Sequence, residues 1–243
     1  MQHPLQSIVV LTGAGISAES GIDTFRASDG LWENHRIEEV ATPEGFAGDP
    51  VRVHQFYNAR RRQLLSDQLH PNAAHLALAR LEYALESIPG SEFTLVTQNI
   101  DNLHERAGSS QVIHMHGELL KMRCIQTQLV FDIRADLTLD DTCRCCRLPG
   151  NLRPHVVWFG EIPLEMNRIQ QALERCDLFL SIGTSGQVYP AAGFYQIASQ
   201  HGAHTVEINL EATDSQFDSQ YYGMAGTVVP QYVNELLKKL NIA

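Results

Sequence analysis

The sequence predicts an α/β protein with a doubly wound parallel sheet, and three observations lead to that fold class. Continuous apolar runs recur along the chain, and such runs are typical of strands buried in a parallel sheet. Segments with helical spacing separate them, and strands that alternate with helices indicate a doubly wound sheet. A glycine-rich loop follows the first run directly. A segment rich in cysteine shows neither pattern, so we expect a small module inserted into the sheet domain.

The predicted elements follow from these patterns in chain order. The apolar runs predict strands over residues 8–11, 93–96, 156–159, 178–182, 205–208 and, more weakly, 227–229. Asp49 and Pro50 form a cap and first turn, which predicts a helix reaching about residue 69. Further helices are predicted after Pro71 and Asn72, over 163–175, over 191–200 and over 230–240. Residues 24–49 show no clear period and predict a long loop, whereas 119–153 hold strand-like fragments and the cysteines.

Composition narrows the class of function. The chain has 243 residues, with 18 basic and 28 acidic side chains, which gives a formal charge of −10. This balance argues against a protein built to bind nucleic acid or an anionic membrane, although Arg60, Arg61 and Arg62 form a local basic patch. No apolar run approaches the ~20 residues of a membrane span, so we expect no transmembrane helix. Residues 1–7 are polar and a strand-like run follows at once, so we expect no secretory leader. With an odd count of five cysteines, the sequence predicts a reducing, cytoplasmic location rather than a disulfide framework.

The glycine loop points to a phosphate-bearing ligand. Gly13, Gly15 and Ala18 fit the pattern G-x-G-x-x-G/A, in which glycines allow backbone N–H groups to approach a pyrophosphate. The acidic end of a second strand, which a plain dehydrogenase would need, is missing. An ordinary turn from strand to helix is the alternative.

Six blocks of sequence together resemble one known family. The glycine loop extends into Gly13-Ala14-Gly15-Ile16-Ser17-Ala18-Glu19-Ser20-Gly21-Ile22-Asp23-Thr24-Phe25-Arg26, which resembles a signature of the sirtuins, NAD-dependent protein lysine deacylases. The other blocks are Thr97-Gln98-Asn99-Ile100-Asp101, His114-Met115-His116-Gly117, Arg153-Pro154-His155-Val156-Val157-Trp158-Phe159-Gly160-Glu161, Gly183-Thr184-Ser185 and Ile208-Asn209-Leu210-Glu211. They occur in family order over nearly the whole chain. The similarity is greatest to bacterial deacylases that remove acidic acyl groups.

The resemblance implies a reaction and a catalytic base. In this family an acyl-lysine amide oxygen attacks the ribose carbon that carries nicotinamide, and the products are free lysine, nicotinamide and O-acyl-ADP-ribose. A base must activate a ribose hydroxyl, and histidine suits that role near neutral pH. The family motif implies that His116 is this base. His114 lies two positions away, and extended backbone would point its ring to the opposite face.

The resemblance also implies which residues bind NAD and substrate. The implied NAD-binding residues are Gly13, Ala14, Gly15, Ser17, Ala18, Glu19, Asp23, Phe25, Arg26, Gln98, Asn99, Ile100, Asp101, Gly183, Thr184, Ser185, Asn209, Leu210, Glu211 and Ala225. Within this set, Asn99 and Asp101 suit the nicotinamide carboxamide or ribose hydroxyls, and Asn209 the adenosine ribose. Turn chemistry or helix capping is the alternative for Asn99 and Asp101. The implied substrate residues are Val157, Trp158, Phe159 and Gly160, which, with a second lip at Val188-Tyr189-Pro190-Ala191, would hold the acylated protein segment as an added strand.

Tyr57 and Arg60 carry the most specific expectation. Their i, i+3 spacing places them on one helical face, and they match a Tyr-x-x-Arg pair of sirtuins that remove acidic acyl groups. Arginine can bind a succinyl or malonyl carboxylate bidentately, and the tyrosine hydroxyl can add a bond. The alternative is a solvated basic face with Tyr57 in a packing role.

The cysteines suggest structural zinc. The family's site has two C-x-x-C pairs, and four thiolates make a closed tetrahedral site. Here Cys143 and Cys146 form one pair, whereas Cys124 is followed at the partner position by Thr127, which cannot supply a thiolate. Cys145, another side chain or water could complete the site, or the module could bind zinc weakly or have lost it.

These expectations combine into a Rossmann-like NAD-binding domain over 1–35, 70–118 and 154–243, with a small helical and zinc-ribbon-like domain over 36–69 and 119–153. The protein would remove succinyl, malonyl and acetyl groups from acylated lysine side chains of proteins. Two alternatives are mono-ADP-ribosyl transfer from NAD and a non-catalytic NAD-sensing module.

Overall fold

The computed structural model describes residues 6–23, 31–32 and 35–242. The strands of these residues are β1 (Ser7–Thr12), β2 (Leu31–Trp32), β3 (His35–Arg36), β4 (Glu92–Thr97), β5 (Val112–His114), β6 (Gly117–Cys124), β7 (Val130–Asp132), β8 (Leu152–Val156), β9 (Leu178–Ile182), β10 (His204–Asn209) and β11 (Ser219–Tyr222). The α-helices are α1 (Ile37–Val40), α2 (Pro43–Gly48), α3 (Pro50–Leu64), α4 (Ala73–Leu85), α5 (Leu103–Ala107), α6 (Met166–Leu173), α7 (Phe194–Gln200) and α8 (Ala225–Lys239).

A six-stranded parallel sheet forms the centre of the fold. Its strand order is β11-β10-β9-β1-β4-β5, so β1 lies between strands from the two halves of the chain. The register places Thr12 of β1 beside Thr97 of β4 and Ile182 of β9, and it places Ile182 beside Ile208 of β10. The carboxyl ends of four strands therefore meet at one edge, where open α/β sheets bind ligands. We call this edge, at Thr12, Thr97, Ile182 and Asn209, the strand-end edge.

Both faces of the sheet are covered, as the continuous apolar runs predict. Successive residues of β1 point to opposite faces. Ile8 and Val10 pack with apolar residues of α4 and α8, and Val9 and Leu11 pack with those of α6 and α7. The doubly wound parallel sheet predicted from the sequence is confirmed.

A second, three-stranded antiparallel sheet carries the cysteines. Its order is β7-β6-β8, and α3 lies against it. The Arg61 guanidinium Nε donates to the Leu119 carbonyl, and His54 Nε2 lies 3.2 Å from the Leu152 carbonyl oxygen. The proposed division into two domains stays a prediction.

One predicted strand lies elsewhere. Residues 156–159 were expected in the parallel sheet, but β8 ends at Val156 and runs antiparallel to β6. Beyond it, the Val157 N–H donates to the His116 carbonyl and the Phe159 N–H to the Ala41 carbonyl. The apolar residues of this run are explained by burial of Val156 and Trp158 against α3, not by a central strand.

The carboxyl-terminal prediction was also wrong in part. Residues 227–229 were expected as a weak strand and Pro230 as a helix start, yet α8 runs from Ala225 and contains Pro230. Val229 and Val233 face the core, so burial of one helical face outweighs the hydrogen bond that proline cannot donate. The last strand, β11, is polar and mostly exposed at the sheet edge. It has no apolar run, and the sequence therefore did not predict it.

Other boundaries moved by shorter distances. The helix capped by Asp49 ends at Leu64, and the segments predicted over 163–175 and 191–200 hold the shorter α6 and α7, with a 3₁₀ turn at Ala191–Gly193. The predicted loop over 24–49 contains α1 and α2, while 24–30 and 33–34 lie outside the described residues. The prediction that Arg61 belongs to a basic surface patch was wrong, because its side chain is buried. None of the described helices is long and apolar enough to cross a membrane.

Candidate active site

The glycine loop meets a second glycine turn at the strand-end edge. The Gly13 N–H donates to the Ile182 carbonyl (3.0 Å), and the Gly15 N–H donates to the Gly183 carbonyl (2.9 Å). A Cβ at Gly13 would lie 2.7 Å from the Gly183 carbonyl oxygen, and one at Gly15 would lie 2.7 Å from the Gly183 Cα. Close packing of the turns after β1 and β9 therefore requires these glycines, whatever ligand binds.

A buried polar network joins the glycine loop to the turn after β4. The Ser17 hydroxyl donates to Asp101 Oδ2 (3.0 Å), and the Asn99 side-chain amide donates to the Ser17 hydroxyl (3.2 Å) and the Gly13 carbonyl (3.1 Å). Burial raises the pKa of Asp101, although hydrogen bonds from Leu103 N–H and Ser17 oppose the rise. The structure thus brings together three of the side chains expected to bind NAD.

His116 follows β5 in a turn and is held in one tautomer. Its Nδ1 lies 3.1 Å from the Gln98 carbonyl oxygen, which can only accept, so in the neutral ring Nδ1 carries the proton. Nε2 is then the basic nitrogen. Burial lowers the pKa of His116, and the Gln98 hydrogen bond opposes this only in part. The ring is therefore neutral at physiological pH.

His114 has the opposite environment. Its Nε2 lies 2.6 Å from Glu105 Oε1, and its Nδ1 lies 3.3 Å from the Asn99 carbonyl oxygen. Burial lowers the pKa of His114, but the hydrogen bond and charge of Glu105 outweigh it, so the net shift is upward. Both ring nitrogens of His114 therefore face oxygen acceptors, which suits an ion pair and leaves neither nitrogen free to take a proton from a ligand.

Two buried histidines beneath the strand-end edge were not singled out by sequence reasoning. His75 Nε2 lies 3.5 Å from the Ser17 hydroxyl, and the ring centroids of His75 and His104 are 4.8 Å apart. His104 Nε2 lies 3.0 Å from the Thr12 hydroxyl, which donates to the Thr97 hydroxyl. The only signal for them was position: Thr12 ends β1, and His104 follows the turn after β4.

The remaining residues expected to bind NAD lie in several different environments. The Asn209 side-chain amide donates to the Thr184 carbonyl (2.8 Å), which ties the ends of β9 and β10 together. The Glu19 carboxylate accepts from the Gly226 N–H at the start of α8, beside Ala225. Ala18, Asp23, Ser185, Leu210 and Glu211 are exposed, Ala14 lies in a 3₁₀ turn, and Ile100 packs against the core. Phe25 and Arg26 lie outside the described residues.

Tyr57 and Arg60 lie on α3 beside the 157–160 segment. Tyr57 is 0% exposed, and its hydroxyl accepts a hydrogen bond from the Trp158 indole N–H (2.9 Å). Arg60 is half-buried, with its guanidinium carbon 4.3 Å from the centre of the Phe56 ring. A fully solvated basic face does not describe this part of α3.

The 157–160 segment divides into buried and exposed residues. Trp158 is buried, whereas Phe159 and Gly160 are exposed and Val157 is half-buried. The Glu161 carboxylate accepts from the Trp158 N–H (2.8 Å) and from both terminal nitrogens of Arg153 (2.7 and 3.0 Å). The Arg153 guanidinium carbon lies 3.2 Å from the centre of the Trp158 ring. Glu161 therefore holds the backbone N–H of Trp158, and Arg153 covers one face of its ring.

The four cysteines of the small module form one cluster. The Sγ atoms of Cys124, Cys143, Cys145 and Cys146 all lie within 4.8 Å of one another. Four sulfurs around zinc at 2.3 Å would be about 3.8 Å apart, and Cys124 Sγ lies 3.8 Å from Cys146 Sγ. Hydrogen bonding by Thr127, mainly through its side chain, lowers the pKa of the Cys124 thiol to about 6. The donor set fits structural zinc, and Cys145 occupies the place that Thr127 cannot fill.

Known proteins are similar to this chain over nearly its whole length. The Sir2 family pattern matches residues 13–190. The NAD-dependent protein deacylase of Escherichia coli (strain K12) is 63% identical over 235 residues, covering 96% of this chain and 83% of the relative. The NAD-dependent protein deacylase of Vibrio vulnificus (strain YJ016) is 61% identical over 242 residues, covering 99% and 97%.

Solved structures of Sir2 proteins have the same fold. A Sir2 homologue in complex with NAD superposes with a TM-score of 0.86 at 40% identity, covering 97% of this chain and 91% of that chain. A Sir2 protein bound to a myristoylated histone peptide gives 0.72 at 32% identity, covering 98% and 93%. The chain therefore belongs to the Sir2 family, the sirtuins.

Proposed function

We propose that this sirtuin removes acyl groups from protein lysines with NAD as its co-substrate. The observation that carries the proposal is that the Gln98 carbonyl fixes the tautomer of His116, and Gln98 directly precedes Asn99 of the Ser17–Asn99–Asp101 network at the strand-end edge. High-identity relatives over nearly the whole chain are named NAD-dependent protein deacylases.

The residues at the edge fit NAD. Asn99 offers an amide and Asp101 a buried carboxylate, which suit a carboxamide and ribose hydroxyls. When bound, NAD supplies an electrophilic ribose carbon with nicotinamide as its leaving group. The Gln98 carbonyl holds His116 Nδ1–H, so Nε2 is left to take a proton from a hydroxyl.

Deacylation is favoured over the two alternatives. A non-catalytic module would not need a histidine held neutral beside the ligand edge. Mono-ADP-ribosyl transfer to a protein would use the same nicotinamide leaving group, but it gives no role to the buried Tyr57 beside the substrate segment. We therefore assign lysine deacylation, with proteins carrying acylated lysines as partners.

We propose that the enzyme removes acidic acyl groups, such as succinyl and malonyl, as well as acetyl groups. Tyr57 and Arg60 would bind the carboxylate of a succinyl or malonyl group, because a carboxylate accepts hydrogen bonds from both while a methyl accepts none. A salt bridge between this carboxylate and Arg60 would be less screened than one at the surface, because the site is poorly solvated.

We assign structural zinc to Cys124, Cys143, Cys145 and Cys146. A site of four thiolates is closed, so it holds the small module together and offers no open position to a substrate.

The test is incubation of the full chain with NAD and acetyl-, succinyl- and malonyl-lysine peptides, followed by mass spectrometry. We expect free lysine peptide, nicotinamide and O-acyl-ADP-ribose in equal amounts. Transfer of ADP-ribose to protein without loss of acyl groups would contradict the assignment.

A further inference from the structure

The hydrogen bond between Trp158 and Tyr57 determines what the tyrosine can do. An indole N–H can only donate, so the Tyr57 oxygen must accept this bond. The hydroxyl has one proton of its own, and among the described residues no acceptor for that proton lies within hydrogen-bonding distance. Because Tyr57 is 0% exposed, this is a buried donor left without a partner, a costly arrangement in a folded protein.

We propose that Trp158 is a positioning residue for acyl selection: its indole N–H occupies the accepting side of the Tyr57 hydroxyl and so commits the hydroxyl proton to an acceptor at the end of the acyl chain. The inference rests on the proposed function, in which Tyr57 and Arg60 receive that end. It assigns the Trp158 side chain to the acyl end, whereas the family resemblance placed this residue among those that hold the substrate peptide.

The surroundings of Trp158 are built to hold its indole in place. Glu161 accepts the Trp158 backbone N–H and binds the Arg153 guanidinium, which stacks on the indole ring. Arg123 also donates to Glu161 (2.8 Å). Two arginines and one carboxylate thus fix a tryptophan whose polar atom points to Tyr57.

The same segment connects the selector to the base. The Val157 N–H donates to the His116 carbonyl (2.9 Å), and Trp158 follows directly. The segment that carries Trp158 is therefore bonded directly to the residue that carries the base. The proton of Tyr57 would be satisfied by a carboxylate or ketone oxygen and left unpaired by a methyl group.

The first experiment uses the wild-type enzyme, so folding is not in question. Peptides carrying 4-oxopentanoyl-lysine and 4-methylpentanoyl-lysine have acyl chains of nearly the same size, are both uncharged, and differ mainly in that an acceptor oxygen replaces a methyl group. We expect KM to be about threefold to tenfold lower for the oxo chain, the range of one neutral hydrogen bond, with kcat little changed. Equal KM values would overturn the proposal.

The second experiment replaces the donor. Trp158→Phe keeps a ring beneath Arg153 but removes the N–H, which frees the Tyr57 hydroxyl to turn either way. We expect KM for succinyl-lysine to rise about tenfold, the oxo preference to shrink, and deacetylation to fall far less. The double variant with Tyr57→Phe should lose no more than Tyr57→Phe alone. Tyr83→Phe, at an exposed tyrosine on α4, is the matched control.

The outcomes distinguish a failure of the Trp158 role from a failure of the acidic-acyl selector. Equal losses of desuccinylation and deacetylation in Trp158→Phe, or additive losses in the double variant, would overturn the role of Trp158 alone. Equal losses of both activities in Tyr57→Phe would overturn the acidic-acyl selector, and the Trp158 proposal with it.

Discussion

At the scale of single residues, immediate partners and not residue type decide the chemistry. His114 and His116 are two positions apart, yet one faces a carboxylate and the other a backbone carbonyl. The shifts are opposite: Glu105 raises the pKa of His114, and burial lowers the pKa of His116. The motif alone singled out His116, and the contacts supply the physical reason for that choice.

We expect His116→Ala to lose deacylation by about 10²–10⁴-fold, the usual contribution of a general base. NAD affinity should change little, because the Ser17–Asn99–Asp101 network remains. In the wild type, kcat/KM should fall as pH drops through a pKa below 6.5, where the base becomes protonated. Steady-state kinetics and NAD titration check both points; wild-type turnover by the variant would move the role to His114.

Arg60 offers a second test at this scale. Charge-assisted hydrogen bonds are worth about 1.5–3 kcal/mol each, so Arg60→Met should reduce desuccinylation by about tenfold to several hundredfold. Deacetylation should fall far less, because the acetyl methyl has no bond to lose. Arg62→Met is the matched control, since Arg62 is exposed and pairs with Asp136. Equal losses for both acyl groups in Arg60→Met would make Arg60 structural.

At the scale of elements, periodicity predicted those parts of the fold in which burial and pattern agree. Strands β1, β4, β9 and β10 have apolar runs that lie inside the sheet, and each was predicted. The run over 156–159 failed because apolar residues can be buried by a helix as well as by a sheet. Pro230 failed as a helix start because packing of α8 outweighs a local rule. Contacts between distant elements, such as Trp158 with Tyr57, leave no local trace in the sequence.

The cysteine module gives a prediction for a whole element. If the four thiolates bind zinc, elemental analysis should find about one zinc per chain, and chelation should loosen this module. Cys145→Ala should lose zinc to a chelator faster than the wild type. Cys176→Ala is the matched control, because Cys176 is a buried thiol outside the cluster, with its pKa raised by burial to about 11. If Cys145→Ala kept zinc as well as the control while Cys124→Ala did not, the fourth ligand would be another group.

At the scale of the whole molecule, the strand-end edge serves stability as well as chemistry. A series of hydrogen bonds runs from His104 through the hydroxyls of Thr12 and Thr97. It ends at the Asn99 N–H, which donates to the Thr97 hydroxyl (3.1 Å). It joins β1, β4 and α5, while His75 brings in α4. The composition showed eleven histidines but not that some of them are buried in the core, because burial depends on the assembled sheet.

This arrangement predicts loss of stability in mild acid. Burial lowers the pKa of His75 to about 4 and that of His104 well below its usual value, so both are neutral in the folded protein. In the unfolded chain they take up protons near pH 6.5. Between about pH 6.5 and 4 the unfolded state therefore binds more protons, and the free energy of unfolding falls as pH drops, by up to about 1.4 kcal/mol per pH unit for each fully titrating histidine. Denaturant unfolding from pH 7.5 to 5 measures this slope. His75→Gln should be less stable at pH 7.5 yet show a shallower slope, whereas His201→Gln, at an exposed position, should keep the wild-type slope. An unchanged slope in His75→Gln would mean that His75 is already protonated in the fold.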